Sequence, residues 1–140
     1  MRLVVDASVA VKWLFPEVDE EAAKRVLKSA REILAPDLIW AEVGNAALKK
    51  ISRKEVSVDE AAVVMREFQN YPLQITESKT LVDTALVVAH DIGLSLYDAL
   101  YLSLSYDRDC SLVTADRKLY DRVRQAYPQT ETIWLENFKA

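Results

Sequence analysis

The sequence predicts an α/β protein, a three-layer α/β/α sandwich with a mostly parallel central sheet. Short apolar runs of strand length alternate along the chain with longer segments whose apolar residues recur at helical spacing. The chain also has only 2 glycines and 4 prolines, which leaves little room for the tight turns of an all-β sandwich. Helices that separate strands in this way connect parallel strands and cover both faces of their sheet.

The first half of the chain is predicted to hold two strands and three helices. Residues 3–5 form a short apolar run closed by an acid, which is typical of a buried strand. Apolar residues then recur at helical spacing over 19–31. A second apolar run, 33–35, ends at a Pro-Asp pair that opens a helix over 37–51. The same spacing predicts a helix over 58–68.

The second half is predicted to hold three strands and three helices. The strand at 72–75 contains a proline, which places it at a sheet edge or makes the proline its first residue. A helix over 81–92 is ended by Gly93, and a second helix over 96–106 has leucines four residues apart. The remaining elements are a strand at 111–114, a helix at 117–126 and a strand at 132–135.

The composition fits one domain over residues 1–140. Apolar residues make up 51% of the chain, enough to bury a core without a metal or disulfide staple. Cys110 is the single cysteine, so no intrachain disulfide can form. An acid at position 6 interrupts any signal-peptide core and no run of ~18 apolar residues occurs, so we expect a cytoplasmic protein without membrane association. The net charge of −4 argues against binding polyanions by bulk attraction.

Four acids are predicted to converge at one edge of the sheet. In parallel α/β sheets, the ligand site lies outside the carboxyl ends of the strands. Asp6 directly follows the first strand, and Asp116 follows the fourth strand by two residues. Asp98 lies in the opening turn of one predicted helix, and Glu42 lies in the first turns of another. Four separate elements therefore bring one carboxylate each towards the same edge.

This set of acids favours a site for Mg²⁺ or Mn²⁺. Carboxylates brought within a few ångströms repel one another and partly protonate unless a positive charge lies between them. Because the chain has 22 acids but one histidine and one cysteine, an oxygen-only site for a hard divalent cation is favoured over zinc. Such a site is typical of phosphodiester hydrolysis by metal-activated water.

Each acid also has a purely structural interpretation. Asp6 and Asp116 could be N-caps of the helices that follow them. Ser95 and Asp98 match the capping-box pattern, and Glu42 could be a solvated acid on a helix surface. These interpretations do not require the four acids to share one end of the sheet, so convergence is the observation that favours a joint metal site.

Two hydroxyl residues lie beside the first and last acids. Ser8 follows Asp6 by two residues, and Thr114 precedes Asp116 by two residues. At these positions their hydroxyl groups could orient a carboxylate or a metal-bound water. We therefore include both in the predicted site.

The helix that carries Glu42 also carries residues expected to face the substrate. Asn45 and Lys49 lie three and seven residues after Glu42, hence on the same helix face. Cations continue away from the acids in a basic group of Lys49, Lys50, Arg53 and Lys54. This group has two interpretations, a track for a phosphate backbone and a solvated helix end whose cations are favoured by the helix dipole.

Other residues carry weaker functional signals. The tryptophans are expected to serve core or interface packing first and base stacking second; they are Trp13, Trp40 and Trp134. The chain has no glycine-rich phosphate loop, so nucleotide-dependent chemistry lacks its usual cradle.

Four segments of the sequence resemble the PIN-domain ribonucleases. They are residues 3–9, 40–46, 96–99 and 113–119. Their order and spacing and the chain length are most similar to the VapC-like toxins of prokaryotic toxin–antitoxin pairs, and the resemblance covers essentially the whole chain. It implies a PIN-like α/β/α fold and a Mg²⁺- or Mn²⁺-dependent endoribonuclease that acts on RNA. It also implies a homodimer held inactive by a VapB-like antitoxin.

The resemblance assigns roles to particular residues by position. The acidic quartet of the family matches Asp6, Glu42, Asp98 and Asp116. Asp6 and Asp98 match its most usual metal ligands, and Ser8 and Thr114 match the polar residues beside the first and last acids.

Two other classes of function compete with a nuclease. A catalytically silent PIN-like binding domain would keep the fold and act through partners, but the intact quartet argues against it. A phosphoacceptor signalling module is also a small parallel α/β domain with acids at its strand ends. It needs adjacent acids after the first strand and a lysine after the last. Here Asp6 stands alone, and a Trp-Leu-Glu run occupies 134–136, where the lysine belongs.

Overall fold

Five parallel strands form the centre of the computed structural model, which describes residues 1–139. The strands are β1 (Arg2–Val5), β2 (Glu32–Pro36), β3 (Leu73–Thr76), β4 (Ser111–Thr114) and β5 (Thr132–Trp134). The helices are α1 (Ala7–Leu14), α2 (Glu20–Ser29), α3 (Leu38–Ser52), α4 (Val58–Phe68), α5 (Val82–Ile92), α6 (Leu96–Asp107) and α7 (Arg117–Ala126). Short 3₁₀ turns occupy Ser78–Thr80 and Leu135–Asn137.

The sheet has the strand order β3-β2-β1-β4-β5, and every neighbouring pair is parallel. Crossovers between parallel strands are right-handed, and this order then places α1–α4 on one face and α5–α7 on the other. The helix contacts agree, since α1 packs against α2 and α3 whereas α5 packs against α6 and α7. The predicted three-layer α/β/α sandwich is confirmed.

The three inner strands of the sheet are deeply buried. Leu3, Val4 and Val5 of β1 are buried, and so are Leu34 and Val113 in the two flanking strands. A strand covered by helices on both faces must be apolar on both of its sides, which is why these runs do not alternate. Each such side chain stabilises the fold by about 2 kcal/mol through removal from water.

Most element boundaries agree with the sequence prediction within two residues. The strand with the preceding proline, β3, lies at the edge of the sheet, as predicted. Gly93 ends α5 in the left-handed conformation with φ 74°, which a residue without Cβ adopts at low cost. The last strand ends at Trp134, one residue early, because Leu135 begins a 3₁₀ turn. The helix after Asp6, for which the sequence indicated no end, spans Ala7–Leu14.

Among residues 1–139, no single helix is both long and apolar enough to cross a lipid bilayer. Only α5 and α6 taken together reach the required length and composition, and their axes are bent by 114° at the break between them.

Candidate active site

Asp6 lies at the carboxyl end of the central strand and is 5% exposed. Its Oδ1 accepts hydrogen bonds from the Ser8 hydroxyl at 2.5 Å and from the Val9 backbone N–H at 3.3 Å. Its Oδ2 accepts a hydrogen bond from the Thr114 hydroxyl at 2.5 Å. Three donors therefore hold this carboxylate in one orientation.

The two hydroxyl groups also connect β1 with the segment that follows β4. The Ser8 Oγ accepts a hydrogen bond from the Ala115 backbone N–H at 2.9 Å, and the Thr114 Oγ1 accepts one from the Asp116 N–H at 3.0 Å. Each hydroxyl thus donates to Asp6, and the Ser8–Ala115 and Thr114–Asp6 bonds cross between the two strand ends. The predicted neighbours Ser8 and Thr114 contact the acid that they were expected to orient.

Asp98 and Asp6 have carboxyl groups whose pKa values lie well above the ordinary value of 3.8. Burial, together with the smaller effect of the Asp98 charge, raises the pKa of Asp6 to about 7 against the hydrogen bonds from Ser8 and Thr114. Burial, together with the charges of Asp116 and Glu42, raises the pKa of Asp98 to about 6. Asp98 therefore lies close enough to each of the other three predicted acids for their charges to interact.

Glu42 is held by a residue that the sequence analysis did not select. The Tyr101 hydroxyl donates a hydrogen bond of 2.6 Å to Glu42 Oε1. Tyr101 lies on α6, on the opposite side of the sheet from α3, and is only 1% exposed. Burial and the nearby acids raise the pKa of this phenol, so it remains a donor at all physiological pH values. The sequence held one signal for this residue: Tyr101 follows Asp98 by three positions, and side chains three apart on a helix share a face.

Lys118 is the second residue that the sequence analysis missed. Its ammonium group lies near Asp98 and lowers the pKa of that carboxyl, against the effects of burial and of the other acids. Lys118 is exposed at the start of α7, two residues after Asp116. It supplies part of the positive charge that this group of acids requires.

The structural interpretations of Asp6 and Asp116 are also correct. Asp6 caps α1 through the Val9 N–H, and Asp116 caps α7 by accepting from the Leu119 N–H at 3.2 Å. Of the capping box predicted for Ser95 and Asp98, the structure shows one of its two hydrogen bonds, the one that the Ser95 hydroxyl accepts from the Asp98 N–H at 3.0 Å. The two roles are compatible, because a cap uses one lone pair of a carboxylate that has several.

The donor chemistry of this group fits a hard divalent cation. Within residues 1–139, no three histidine, cysteine, aspartate or glutamate side chains are gathered closely enough to hold a metal ion as they stand. Mg²⁺, however, commonly binds through one or two carboxylates and completes its shell with water and substrate phosphates. Asp6 and Asp98, each with a raised pKa, are short of positive charge. The set of four carboxylate ligands stays a prediction.

Lys50 is not part of the exposed basic group at the end of α3, which corrects one of its four predicted members. Lys49, Arg53 and Lys54 are exposed, and both interpretations of them stay predictions. Lys50 is 9% exposed and points towards α1, where its Nζ lies 3.1 Å from Glu17 Oε1 and 5.6 Å from the centre of the Phe15 ring. Its aliphatic stem packs in the core between helices, and an ion pair then compensates the buried charge. Lys49 and Asn45 are exposed on α3, and their contact with substrate stays a prediction.

Comparison with known proteins gives a consistent match across the chain. The PIN domain profile matches residues 3–125. The chain is 32% identical over 124 residues to ribonuclease VapC3 of Pyrobaculum aerophilum, covering 87% of this chain and 95% of that protein. A crystal structure of a P. aerophilum protein matches with a TM-score of 0.68 and 27% identity, covering 87% of this chain and 79% of that one.

A further solved structure shares the fold at low sequence identity. A toxin–antitoxin complex from Klebsiella pneumoniae contains a chain that matches with a TM-score of 0.67 and 14% identity. The match covers 95% of this chain and 97% of that one, so the likeness extends over the whole sandwich.

The raised pKa values predict that the metal-free protein loses stability as pH rises. The unfolded chain releases the Asp6 proton near pH 4, whereas the folded protein holds it until about pH 7. The contribution of Asp6 to the free energy of unfolding is therefore fully present below pH 4. It is lost progressively up to about pH 7, by on the order of 4 kcal/mol at most.

Urea unfolding in EDTA between pH 4 and pH 8 tests this expectation. The free energy of unfolding of the wild type should fall relative to that of Asp6→Asn, which imitates the protonated acid. Asp107→Asn is the matched control, because that acid is exposed at the far end of α6. A stability difference between wild type and Asp6→Asn that does not change with pH would contradict the burial of a titrating carboxyl group.

Proposed function

Because the chain belongs to the PIN-domain family, and within it to the VapC ribonucleases, we propose that it is an endoribonuclease that hydrolyses RNA phosphodiesters with Mg²⁺ or Mn²⁺. The observation that carries the proposal is the group of four acids. They come from four separate elements. Burial raises the pKa values of Asp6 and Asp98, and the charges of neighbouring acids raise them as well. A divalent cation bound by these carboxylates would favour their charged forms and would attract an RNA phosphate.

The cation would be held by Asp6 and Asp98, with Glu42 and Asp116 acting directly or through water. A divalent cation, when bound, neutralises phosphate charge and makes water a better nucleophile at neutral pH. Hydrolysis then adds a water oxygen to phosphorus and breaks the bond from phosphorus to the 3′-oxygen. The products carry a 5′-phosphate and a 3′-hydroxyl.

The other residues of the site keep these carboxylates in position. Ser8 and Thr114 hold both oxygens of Asp6, and Tyr101 holds one oxygen of Glu42. Because these bonds form within the folded protein, the acids need little reorganisation when substrate arrives. Asp6 keeps one lone pair, on Oδ2, and Glu42 keeps several for a cation or its waters.

RNA cleavage by the Asp98→Asn variant tests the assignment. The variant keeps the shape of the side chain but removes its charge, so cleavage should fall by at least about a hundredfold while the melting temperature stays the same or rises. Wild-type cleavage should require Mg²⁺ or Mn²⁺, stop with EDTA, and leave 5′-phosphate ends.

The same measurement on Asp107→Asn provides the control, because it removes an exposed acid from the other end of the same helix. Wild-type activity in Asp98→Asn, or cleavage that persists in EDTA, would refute the assignment. Absence of cleavage in the wild type would favour the silent binding domain instead.

Replacement of Tyr101 by Phe tests how Glu42 is positioned. Loss of the hydroxyl removes one hydrogen bond to a carboxylate, and we expect kcat to fall about tenfold while KM changes little. Tyr127→Phe removes an equivalent hydrogen bond of 2.7 Å from the Tyr127 hydroxyl to the exposed Asp91 and should leave the kinetics unchanged. Equal kinetics for both variants would show that Glu42 needs no support from Tyr101.

The proposal includes a VapB-like antitoxin and a second copy of the chain as protein partners. Large apolar side chains are exposed on two separate surfaces of the sandwich. One surface, on α3 and α4, includes Leu48 and Val58, and the other, on α5, includes Leu86 and Val87. Exposed apolar patches of this kind favour protein interfaces.

Leu48→Glu and Leu86→Glu place one charge on each of these surfaces. The proposed antitoxin, encoded by the gene beside this one, should form a complex with the wild type and suppress its cleavage of RNA. In the absence of the antitoxin, the chain should sediment as a dimer, at twice 15.9 kDa. Each variant should weaken one of the two interactions. If sedimentation gives 15.9 kDa at micromolar concentration, the homodimer is wrong; if neither variant changes either interaction, these surfaces are not the interfaces.

A further inference from the structure

An exposed arginine lies over two aromatic rings at the start of α7. The Cζ of Arg117 lies 4.1 Å from the centre of the Trp134 ring and 5.7 Å from the centre of the Tyr120 ring. The two rings are 5.7 Å apart and tilted by 58°. We call these three residues the Arg117 platform.

The Arg117 platform lies at the edge of the sheet that carries the acids. Arg117 directly follows Asp116, and Trp134 is the register partner of Thr114 in the neighbouring strand. Neighbouring strands lie about 4.8 Å apart. Thr114 donates a hydrogen bond to Asp6, so Trp134 lies one strand away from a residue that holds the Asp6 carboxylate.

Helix stability does not account for an arginine at this position. Arg117 and Lys118 occupy the first two positions of α7, where the positive end of the helix dipole disfavours cations. Arg117 Nη1 lies 3.7 Å from Asp121 Oδ1, and both side chains are more than half exposed. A pair this exposed contributes little, and a base that precedes its acid by four residues has the weaker orientation.

The cation–π contacts leave the guanidinium donors available to an anion. Such a contact uses the charge of the guanidinium and does not require any of its five N–H donors to bind an oxygen. The side chain of Arg117 is 60% exposed, so the donor edge reaches solvent. Two rings restrict its rotamers, and less conformational entropy is lost when it binds.

We infer that Arg117, held by Trp134 and Tyr120, binds a phosphate of the RNA strand beside the phosphate that is cleaved. This inference rests on the proposed ribonuclease function and names a contact for its substrate. The planar donor edge of Arg117 matches two oxygens of one phosphate group. The aromatic residues position Arg117 and are not themselves required to touch the RNA.

Binding of a short single-stranded RNA by the inactive Asp98→Asn protein tests the inference. In this background, the further substitution Arg117→Ala should weaken binding about tenfold. It should also reduce the slope of log affinity against log salt concentration by about 0.7, the value for one phosphate contact in single strands. The further substitution Arg117→Lys should weaken binding but keep the slope, because the charge remains while the planar donor edge is lost. A purely structural role would lower the melting temperature without changing this slope.

Arg31→Ala, in the same background, is the matched control. Arg31 is an exposed arginine immediately before β2, hence at the opposite edge of the sheet. It should change neither affinity nor slope. Equal effects of Arg117→Ala and Arg31→Ala, or no effect of Arg117→Ala, would overturn the inference.

Cleavage by the wild type and by Arg117→Ala with intact Asp98 is measured in parallel. An increase in KM of about tenfold with little change in kcat supports a substrate contact outside the reacting group. If the wild type cleaves RNA while Arg117→Ala binds and cleaves normally, only the inference fails. If the wild type does not cleave RNA, the proposed function itself fails, and the inference falls with it.

Discussion

The structure depends on how one carboxylate is kept at the buried end of the central strand. Asp6 is almost fully enclosed, and burial of an unpaired charge would cost several kcal/mol. The Ser8 and Thr114 hydroxyls and the Val9 N–H offset part of that cost. Because the same hydroxyls accept backbone N–H groups from the segment after β4, the bonds that hold Asp6 also align the ends of β1 and β4.

The remaining acids make the electrostatic problem larger. Asp98, Asp116 and Glu42 come from elements whose ends meet at this edge. Burial raises the pKa of Asp98, and the charges of Asp116 and Glu42 raise it as well. Lys118 compensates only a part of this repulsion. A protein that gathers negative charge in this way gives up stability in the absence of a cation, which is typical of sites organised for binding rather than for folding. Arg117, which lies over the Trp134 ring and follows Asp116 in the chain, adds a positive group at the border of these acids.

The placement of the acids could be predicted because it depends on local patterns and one topological rule. Asp6 follows an apolar run of strand length, and in a parallel sheet the residues after such runs meet at one edge. The hydrogen bond from Tyr101 to Glu42 could not be predicted, since the two residues are 59 positions apart on helices in different layers. The burial of Lys50 could not be predicted for a related reason. The sequence shows that residue 50 is a lysine, but not that its side chain on α3 extends towards Glu17.

By itself, the sequence determined which segments become strands, most of those that become helices, and the end of the sheet at which the acids collect. These features follow from periodicity, from proline and glycine, and from the direction of parallel strands, all of which act over a few residues. The proline before β3 indicated an edge strand or a strand start, and only the sheet order shows that β3 is an edge strand. Only the tertiary structure decided which side chains meet across that edge. Hydrogen bonds, charge coupling and ring stacking act over a few ångströms, and the packing of helices on the sheet sets those distances.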